Sequence, residues 1–344
     1  MSGLTGPQKF MMFLLILLCG NYVVQVAMDH WVKQSSPPLA EGFASEGGIV
    51  NNSYRVEGFD GSGSASEKEN SLYTWIQDPQ LIYDDFYAGV YDQLSAQTAR
   101  TQAKVAICTQ MWQAKDPKMS AWSILDAGCG TGHAAAAFAA AGAGRVVGMD
   151  YAPAMLRQAQ TKTLPSLKLA PKAAEAIRWR QDSLNNPSAG AAGEFTHTVL
   201  FYFTYYYIQD KEQLFRHLNL WTKPGGKLIV EVVNKYKFDP ILESASPFVG
   251  FSLQKYSKER LRKSKVAFDK FDYEAEFVLS DPKAEFYETF RFKNNHVRRQ
   301  KHIFTMPTME EVVATGKMAG WKYVGYQDLN PIGFEYAYLL FFEK

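Results

Sequence analysis

Three alternate glycines, in Ile124-Leu125-Asp126-Ala127-Gly128-Cys129-Gly130-Thr131-Gly132, stand between an apolar run and the alanine-rich stretch His133–Ala141. Glycine has no Cβ and tolerates positive φ, so such a loop turns sharply from strand to helix while its backbone touches a ligand. The rest of the chain fits that plan. Beyond Ser123, short apolar runs alternate with helical stretches, the pattern of βαβ units in a parallel sheet. Strands are expected at Ser123–Asp126, Arg145–Asp150, Ile177–Gln181, Thr198–Phe203 and Lys227–Val233. Helices are expected at His133–Ala141, Pro153–Thr161 and Lys211–Trp221, the last closed by the turn Lys223-Pro224-Gly225-Gly226. Thr308 and Glu311 form a capping box that starts a helix to Met318, Gly320 ends it, and strands at Trp321–Asp328 and Phe334–Phe342 complete the sheet.

Composition narrows the function classes. With 47% hydrophobic and 21% charged residues the 344-residue chain can bury a full core, and its net charge of +2 provides no phosphate-tracking surface, so no nucleic-acid partner is expected. Cys19, Cys108 and Cys129 are too few and too scattered for a disulfide framework or a metal site.

Phe10 to Met28 is an apolar run of 19 positions, long enough for one membrane crossing at about 1.5 Å per residue. An uncleaved anchor is favoured over a signal peptide, because Gln25 before Ala27 and Leu18 before Gly20 spoil the small-x-small cleavage pattern. Lys9 and Lys33 flank the span evenly, so charge does not orient it. Residues 34–70, rich in Ser, Gly, Pro and Glu, read as a disordered linker containing the sequon Asn51-Asn52-Ser53. The expected division is therefore an anchor or signal segment at 1–33, a linker at 34–70 and a catalytic domain at 71–344.

The ligand class follows from the acids around the glycines. A dinucleotide fingerprint requires glycine at position 133, where this chain has His133, and Asp126 beside a pyrophosphate would repel it. Asp126 suits a ligand with a cationic amino group and no phosphate. Asp150 closes the next strand 22 residues after Gly128, the distance at which an acid reaches a ribose diol. Asp182 follows the third strand, placed to accept from an exocyclic adenine amine. Any one of these acids alone is an ordinary surface residue, but three at successive strand ends share the edge where open α/β sheets bind ligands.

These residues resemble the class I S-adenosylmethionine-dependent methyltransferases. ILDAGCGTG looks like that family's first motif, VVGMDYAPAMLRQA like its second and WRQDSL like its third, while FTHTVLFYFTYYYIQD and LWTKPGGKLIVEVV are similar to its fourth strand, helix and fifth strand. The resemblance implies an α/β fold: a Rossmann-like seven-stranded, mostly parallel sheet with helices on both faces and an antiparallel β insertion after the fifth strand. It implies that Asp126, Gly128, Gly130 and Gly132 hold the methionine part of S-adenosyl-L-methionine. Asp150, followed by Tyr151, would hold the ribose, and Asp182 with Ser183 the adenine. Met155 and Phe201 would flank the base, and Tyr91, in Val90-Tyr91-Asp92, would cover the cofactor.

The implied activity is in-line (SN2) methyl transfer to nitrogen or oxygen of a small-molecule acceptor, the alternative being a scaffold that binds the cofactor without transfer. Phe201-Tyr202-Phe203-Thr204 replaces the motif of nucleic-acid adenine methyltransferases, no paired-glutamate loop for a guanidinium is recognisable, and no acid cluster calls for a metal. Because the cofactor is made in the cytosol, the anchored domain is expected to face it. The sulfonium already activates the methyl group, so no catalytic residue is assigned; candidates are Tyr205, Tyr206, Tyr207, Asn234 and Tyr236. His197 and His217 read as structural. The insertion, about 235–306, reads as an antiparallel meander with turns at Asp281-Pro282 and Asn294-Asn295, resembling the auxiliary sheet over the substrate pocket of amino-sugar and glycine-type N-methyltransferases. Its His296, Arg298, Arg299, Lys301 and His302 either offer cations to an acidic substrate or form a solvated strand face, and the second is preferred.

Overall fold

Two sheets organise residues 73–95, 97–240 and 262–344, which the computed structural model describes. The expected membrane-crossing segment at 10–28 and the linker at 34–70 lie outside the described residues; among those described, no helix is long and apolar enough to cross a membrane. In chain order the main elements are β1 (Tyr73–Ile76), α1 (Asp85–Ser95), α2 (Gln97–Gln113), β2 (Ser123–Ala127), α3 (His133–Ala141), β3 (Arg145–Asp150), α4 (Pro153–Gln158), β4 (Ile177–Gln181) and β5 (Phe195–Leu200). There follow α5 (Lys211–Trp221), β6 (Thr222–Val233), β7 (Lys263–Ala267), β8 (Phe271–Ser280), β9 (Lys283–Phe292), β10 (Val297–Thr305), α6 (Met309–Met318), β11 (Lys322–Asp328) and β12 (Ala337–Glu343).

The larger sheet runs β11-β12-β6-β5-β2-β3-β4, and only β12 is antiparallel to its neighbours. Its central strands are apolar on both faces because helices cover both. Leu125, Val147, Leu200 and Val230 pack towards α5 and α6, whereas Ile124, Val146, Val199 and Ile229 pack towards α2 and α3. In α3, Ala135 and Ala139 are small enough for the helix to lie close to the sheet, and Gly142 ends it at φ 107. The chain reverses direction of travel at β2, with β3 on one side and β5 on the other, and the strand ends beside such a switch point form the natural ligand crevice.

The last strand starts at Ala337, three residues after the expected Phe334, and three further boundaries differ for physical reasons. The strand expected at 198–203 lies at Phe195–Leu200, because the chain breaks away at Tyr202, whose φ of 54 no strand can hold. The helix expected to reach Thr161 passes after Gln158 into a wider π turn over Ala159–Thr163. Thr222 already pairs with Phe195, and the ladder then resumes at Lys227 opposite His197, so Lys223–Gly226 stand out of it as a bulge with Gly225 at φ 74.

The second sheet runs β1-β10-β9-β8-β7. The meander expected after the fifth strand is present, with turns at both predicted sites. It is not the whole sheet: Tyr73–Ile76, from before the catalytic strands, adds parallel to β10 with Tyr73 opposite Val297. The inner face, with Tyr73 excluded and Tyr273, Ala275 and Phe290 buried, packs against Ile82, just before α1, and Tyr87 within it.

Candidate active site

The glycine loop turns as its sequence demands, with Gly128, Gly130 and Gly132 at φ 72, 52 and 83. Gly128 N–H and Cys129 N–H both donate to Met149 O, at 2.8 and 2.9 Å, which fastens the loop to the end of β3. Asp126, 2% exposed, accepts Ala135 N–H at 3.0 Å and so caps the first turn of α3. Asp150 accepts Gly130 N–H on one oxygen and Ala152 N–H on the other, each at 2.9 Å. Asp182 accepts from Ser183 N–H at 2.8 Å and Asn186 Nδ2 at 2.9 Å, and its own N–H donates to Asp150 O at 3.1 Å. Burial pushes the Asp150 carboxyl above the usual range, against the pull of its backbone N–H donors.

A cavity of about 310 Å³ starts at this edge and continues beneath the second sheet. Asp126, Gly128, Gly130, Asp150, Tyr151 and Met155 line it, as do Asp182, Ser183, Phe201 and Tyr91. Gly132 does not. It sits at the start of α3, where an added Cβ would fall 2.5 Å from the Trp179 ring, so packing, together with its positive φ, is what requires glycine there. Gly132→Ala combines a left-handed backbone with overpacking and should lower folding stability by about 2 kcal/mol or more. A denaturant midpoint unchanged from the parent protein would refute that account.

Of the catalytic candidates only Tyr207 lines the cavity. Thr204–Tyr207 is one helical turn, so successive tyrosines point about 100° apart. Tyr206 turns its hydroxyl to accept Val233 N–H at 2.7 Å, and Tyr205 packs against Phe215. Tyr236 is 54% exposed and bonded to Asp281, while Asn234 accepts Tyr236 N–H. His197 and His217 are buried, as a structural role requires.

His296, Arg298, Arg299, Lys301 and His302 do not form one patch: Arg298 and His302 are buried on the inner face, while His296, Arg299 and Lys301 stay partly exposed. A strand alternates sides, and Arg298, Gln300 and His302 point inward at 6%, 0% and 1% exposure. Arg298 pairs with Asp84 at 2.6 Å, whereas on the other side Lys301 pairs with Glu285 at 3.0 Å and Arg299 lies over the Trp75 and Tyr287 rings. His302 lines the cavity with Glu288, Tyr83 and Tyr87, none of which the sequence reading placed there, and Phe286 and Phe304 add rings. The signal that identifies His302 and Phe304 is the period of two, which puts residues 298, 300, 302 and 304 of β10 on one face. Among the described residues no group of three or more His, Cys, Asp or Glu is placed to hold a metal ion.

Residues 124–226 match the family model of the methyltransferase domain. No curated protein sequence matches the chain significantly. Solved structures similar in fold include the CcbJ methyltransferase from Streptomyces caelestis, at TM-score 0.56 and 14% identity, covering 77% of this chain and 98% of that one. The sugar N-methyltransferase KedS8 from a Streptoalloteichus species is similar at TM-score 0.51 and 18% identity over 83% of this chain and 99% of that one. So is CalS10, an amino pentose methyltransferase from Micromonospora echinaspora with SAM bound, at TM-score 0.50 and 18% identity over 74% and 96%.

Proposed function

We propose that the chain is a class I S-adenosylmethionine-dependent methyltransferase that transfers the cofactor's methyl group to a nitrogen or oxygen atom of a small-molecule acceptor, a reading supported by the match of residues 124–226 to the methyltransferase-domain model. The observation that carries the reading is the single cavity that joins three carboxylate-bearing strand ends to a ring-lined chamber under the second sheet. A phosphate-free ligand with a cationic amine, a diol and an adenine amine matches acceptors at Asp126, Asp150 and Asp182, and the Cβ-free backbone of Gly130 lets it approach closely, whereas the missing Cβ of Gly128 makes room for Thr204. When bound, the cofactor supplies a methyl group already activated by its sulfonium. The protein's part is to hold the acceptor in line with that group and to limit water around it, for which the rings lining the chamber are suited.

Titration of the full-length protein with S-adenosylmethionine by calorimetry tests the reading; a folded protein that gives no binding signal would end it. The pH profile of that binding tests Asp126. Burial pushes its carboxyl up to about 7, Ala135 N–H and the more distant Lys104 ammonium opposing and the neighbouring Asp150 adding to the rise. A cationic amine beside it favours the ionised form, so a protonated Asp126 must release its proton when the ligand binds. Affinity should therefore rise with pH below about 7, by up to about tenfold per unit, and fall again as the ligand's amino group deprotonates near pH 8. Asp126→Asn should remove the acid-side slope, and a flat profile in the parent protein would exclude this role.

A further inference from the structure

The acceptor end of the cavity carries a chain of directed hydrogen bonds that holding a ligand in line does not require. Glu288, on β9, is 1% exposed. One of its oxygens accepts the Tyr273 hydroxyl at 2.6 Å; the other accepts Gln300 Nε2 at 2.6 Å and lies 2.5 Å from His302 Nε2. Burial acts to raise the Glu288 carboxyl, but the three donors, His302 foremost with Tyr273 and Gln300, outweigh it and hold the group below its usual range. The Gln300 amide cannot flip without losing Arg298 Nε, which donates to its oxygen at 2.9 Å. An ionised Glu288 keeps a proton on His302 Nε2, so in the neutral ring Nδ1 is the acceptor. Nδ1 is bonded to the Tyr207 hydroxyl, whose oxygen accepts the Tyr83 hydroxyl at 2.7 Å. Tyr83, Tyr207, His302 and Glu288 all line the cavity, so the chain of bonds opens on the acceptor space. Tyr87 from α1 also faces the His302 ring, at 5.8 Å, and Tyr91 stands beside Tyr83 and Tyr87.

Packing alone does not call for this arrangement. Burying a carboxylate and an imidazole carries a desolvation penalty that apolar residues of similar volume avoid. We propose that Tyr83, Tyr207, His302 and Glu288 form a proton relay that takes the proton from an acceptor hydroxyl, making the acceptor a neutral, ring-bearing phenol or alcohol. The inference rests on the methyl-transfer reading above. The acceptor oxygen forms its bond to the methyl carbon as the carbon–sulfur bond breaks, the electron pair of that bond staying on sulfur. The acceptor's proton moves to a tyrosine oxygen, each hydroxyl passes its own proton along, and the last arrives on His302 Nδ1, where the imidazolium faces Glu288. Burial pushes the Tyr83 and Tyr207 hydroxyls well above the usual tyrosine range, so they conduct the proton and do not keep the charge. A neutral amine attacks through its lone pair and needs no such base; a hydroxyl does. Tyr87, Phe286 and Phe304 provide ring faces for an aromatic body.

The test uses full-length protein, two phenols of unequal acidity (4-nitrophenol and 4-methylphenol) and 4-methylaniline as the matched amine. With S-adenosylhomocysteine bound and at mildly acidic pH, the parent protein should bind 4-nitrophenol as the yellow phenolate, and His302→Asn and Tyr207→Phe should lose that absorbance. In turnover, both variants should fall about 100-fold on 4-methylphenol at neutral pH and less than about tenfold on 4-nitrophenol at alkaline pH, where it ionises unaided. Equal losses on the two phenols would overturn the relay, as would methylation of the aniline with neither phenol accepted, or no phenolate signal and no phenol turnover. Cofactor binding, measured alongside, separates these outcomes from failure of the methyl-transfer reading. Tyr207→Phe keeps its ring against Phe304 and carries the test if the histidine variant does not fold.

Discussion

Asp150→Ala is expected to weaken S-adenosylmethionine binding by at least about 100-fold. The carboxylate is 9% exposed and does two things at once. It ties Gly130 N–H to Ala152 N–H, one on each oxygen, so the second glycine of the loop and the start of α4 are positioned by one side chain. Its remaining lone pairs open on the cavity, where a ribose diol is proposed to bind. A hydrogen bond to a charged group contributes about 1.5–3 kcal/mol, and every 1.4 kcal/mol is tenfold in affinity, so two lost bonds alone reach the expected loss. The freed loop adds to it. Asp150→Asn probes the loop-tying role: its amide offers one acceptor oxygen and turns an NH2 towards the other backbone donor, so it should unfold earlier as well as bind more weakly. Calorimetric titration of the alanine variant decides the matter, and a dissociation constant within about threefold of the parent's would sink the assignment.

What the sequence revealed, and what it hid, divides along the range of the interactions. His133–Ala141 and Lys211–Trp221 were legible to the residue, because a helix is announced by its own composition and by the glycines or caps at its ends. The parallel strands were legible because both faces must be apolar, and the three acids because an acid at a strand end stands out against such runs. The parallel pairing of Tyr73 with Val297 had no local signal, since five of the seven strands of the larger sheet lie between the two segments in sequence. The packing of Gly132 on the Trp179 ring was not legible, because a glycine needed for a neighbouring ring looks, in sequence, like one needed for a ligand. The Glu288–His302 contact was hidden because it depends on hairpin register, which sets Gln300 opposite Glu288 and leaves His302 one inward step further on. Grouping residues 296 to 302 as one patch ignored the alternation that splits them between two faces.

The second large effect is expected far from the glycine loop, at Lys104. This lysine is 1% exposed on α2 and its ammonium lies 2.7 Å from Glu231 on β6, itself 7% exposed. Burial lowers the lysine's pKa, and Glu231 opposes that shift. The pair also shapes the cavity, because the same Glu231 oxygen accepts Tyr202 N–H at 2.6 Å and the ammonium stands 3.4 Å from the centre of the Tyr202 ring. Thr101 holds the Tyr202 hydroxyl at 2.6 Å. Tyr202 lines the cavity at a φ of 54, a conformation that a bulky residue keeps only when its surroundings enforce it. Lys104→Met leaves a carboxylate buried without its cation, which costs about 3–5 kcal/mol, and should lower the unfolding temperature by roughly 10 °C. The double variant Lys104→Met with Glu231→Gln removes the orphaned charge and should recover most of that loss, because the amide oxygen can still accept Tyr202 N–H. If the single variant melts within about 2 °C of the parent, the buried pair is not what fixes Tyr202. If the double variant recovers stability but not cofactor affinity, the ammonium over the Tyr202 ring, and not the hydrogen bond to its backbone, is what holds that wall of the cavity in place.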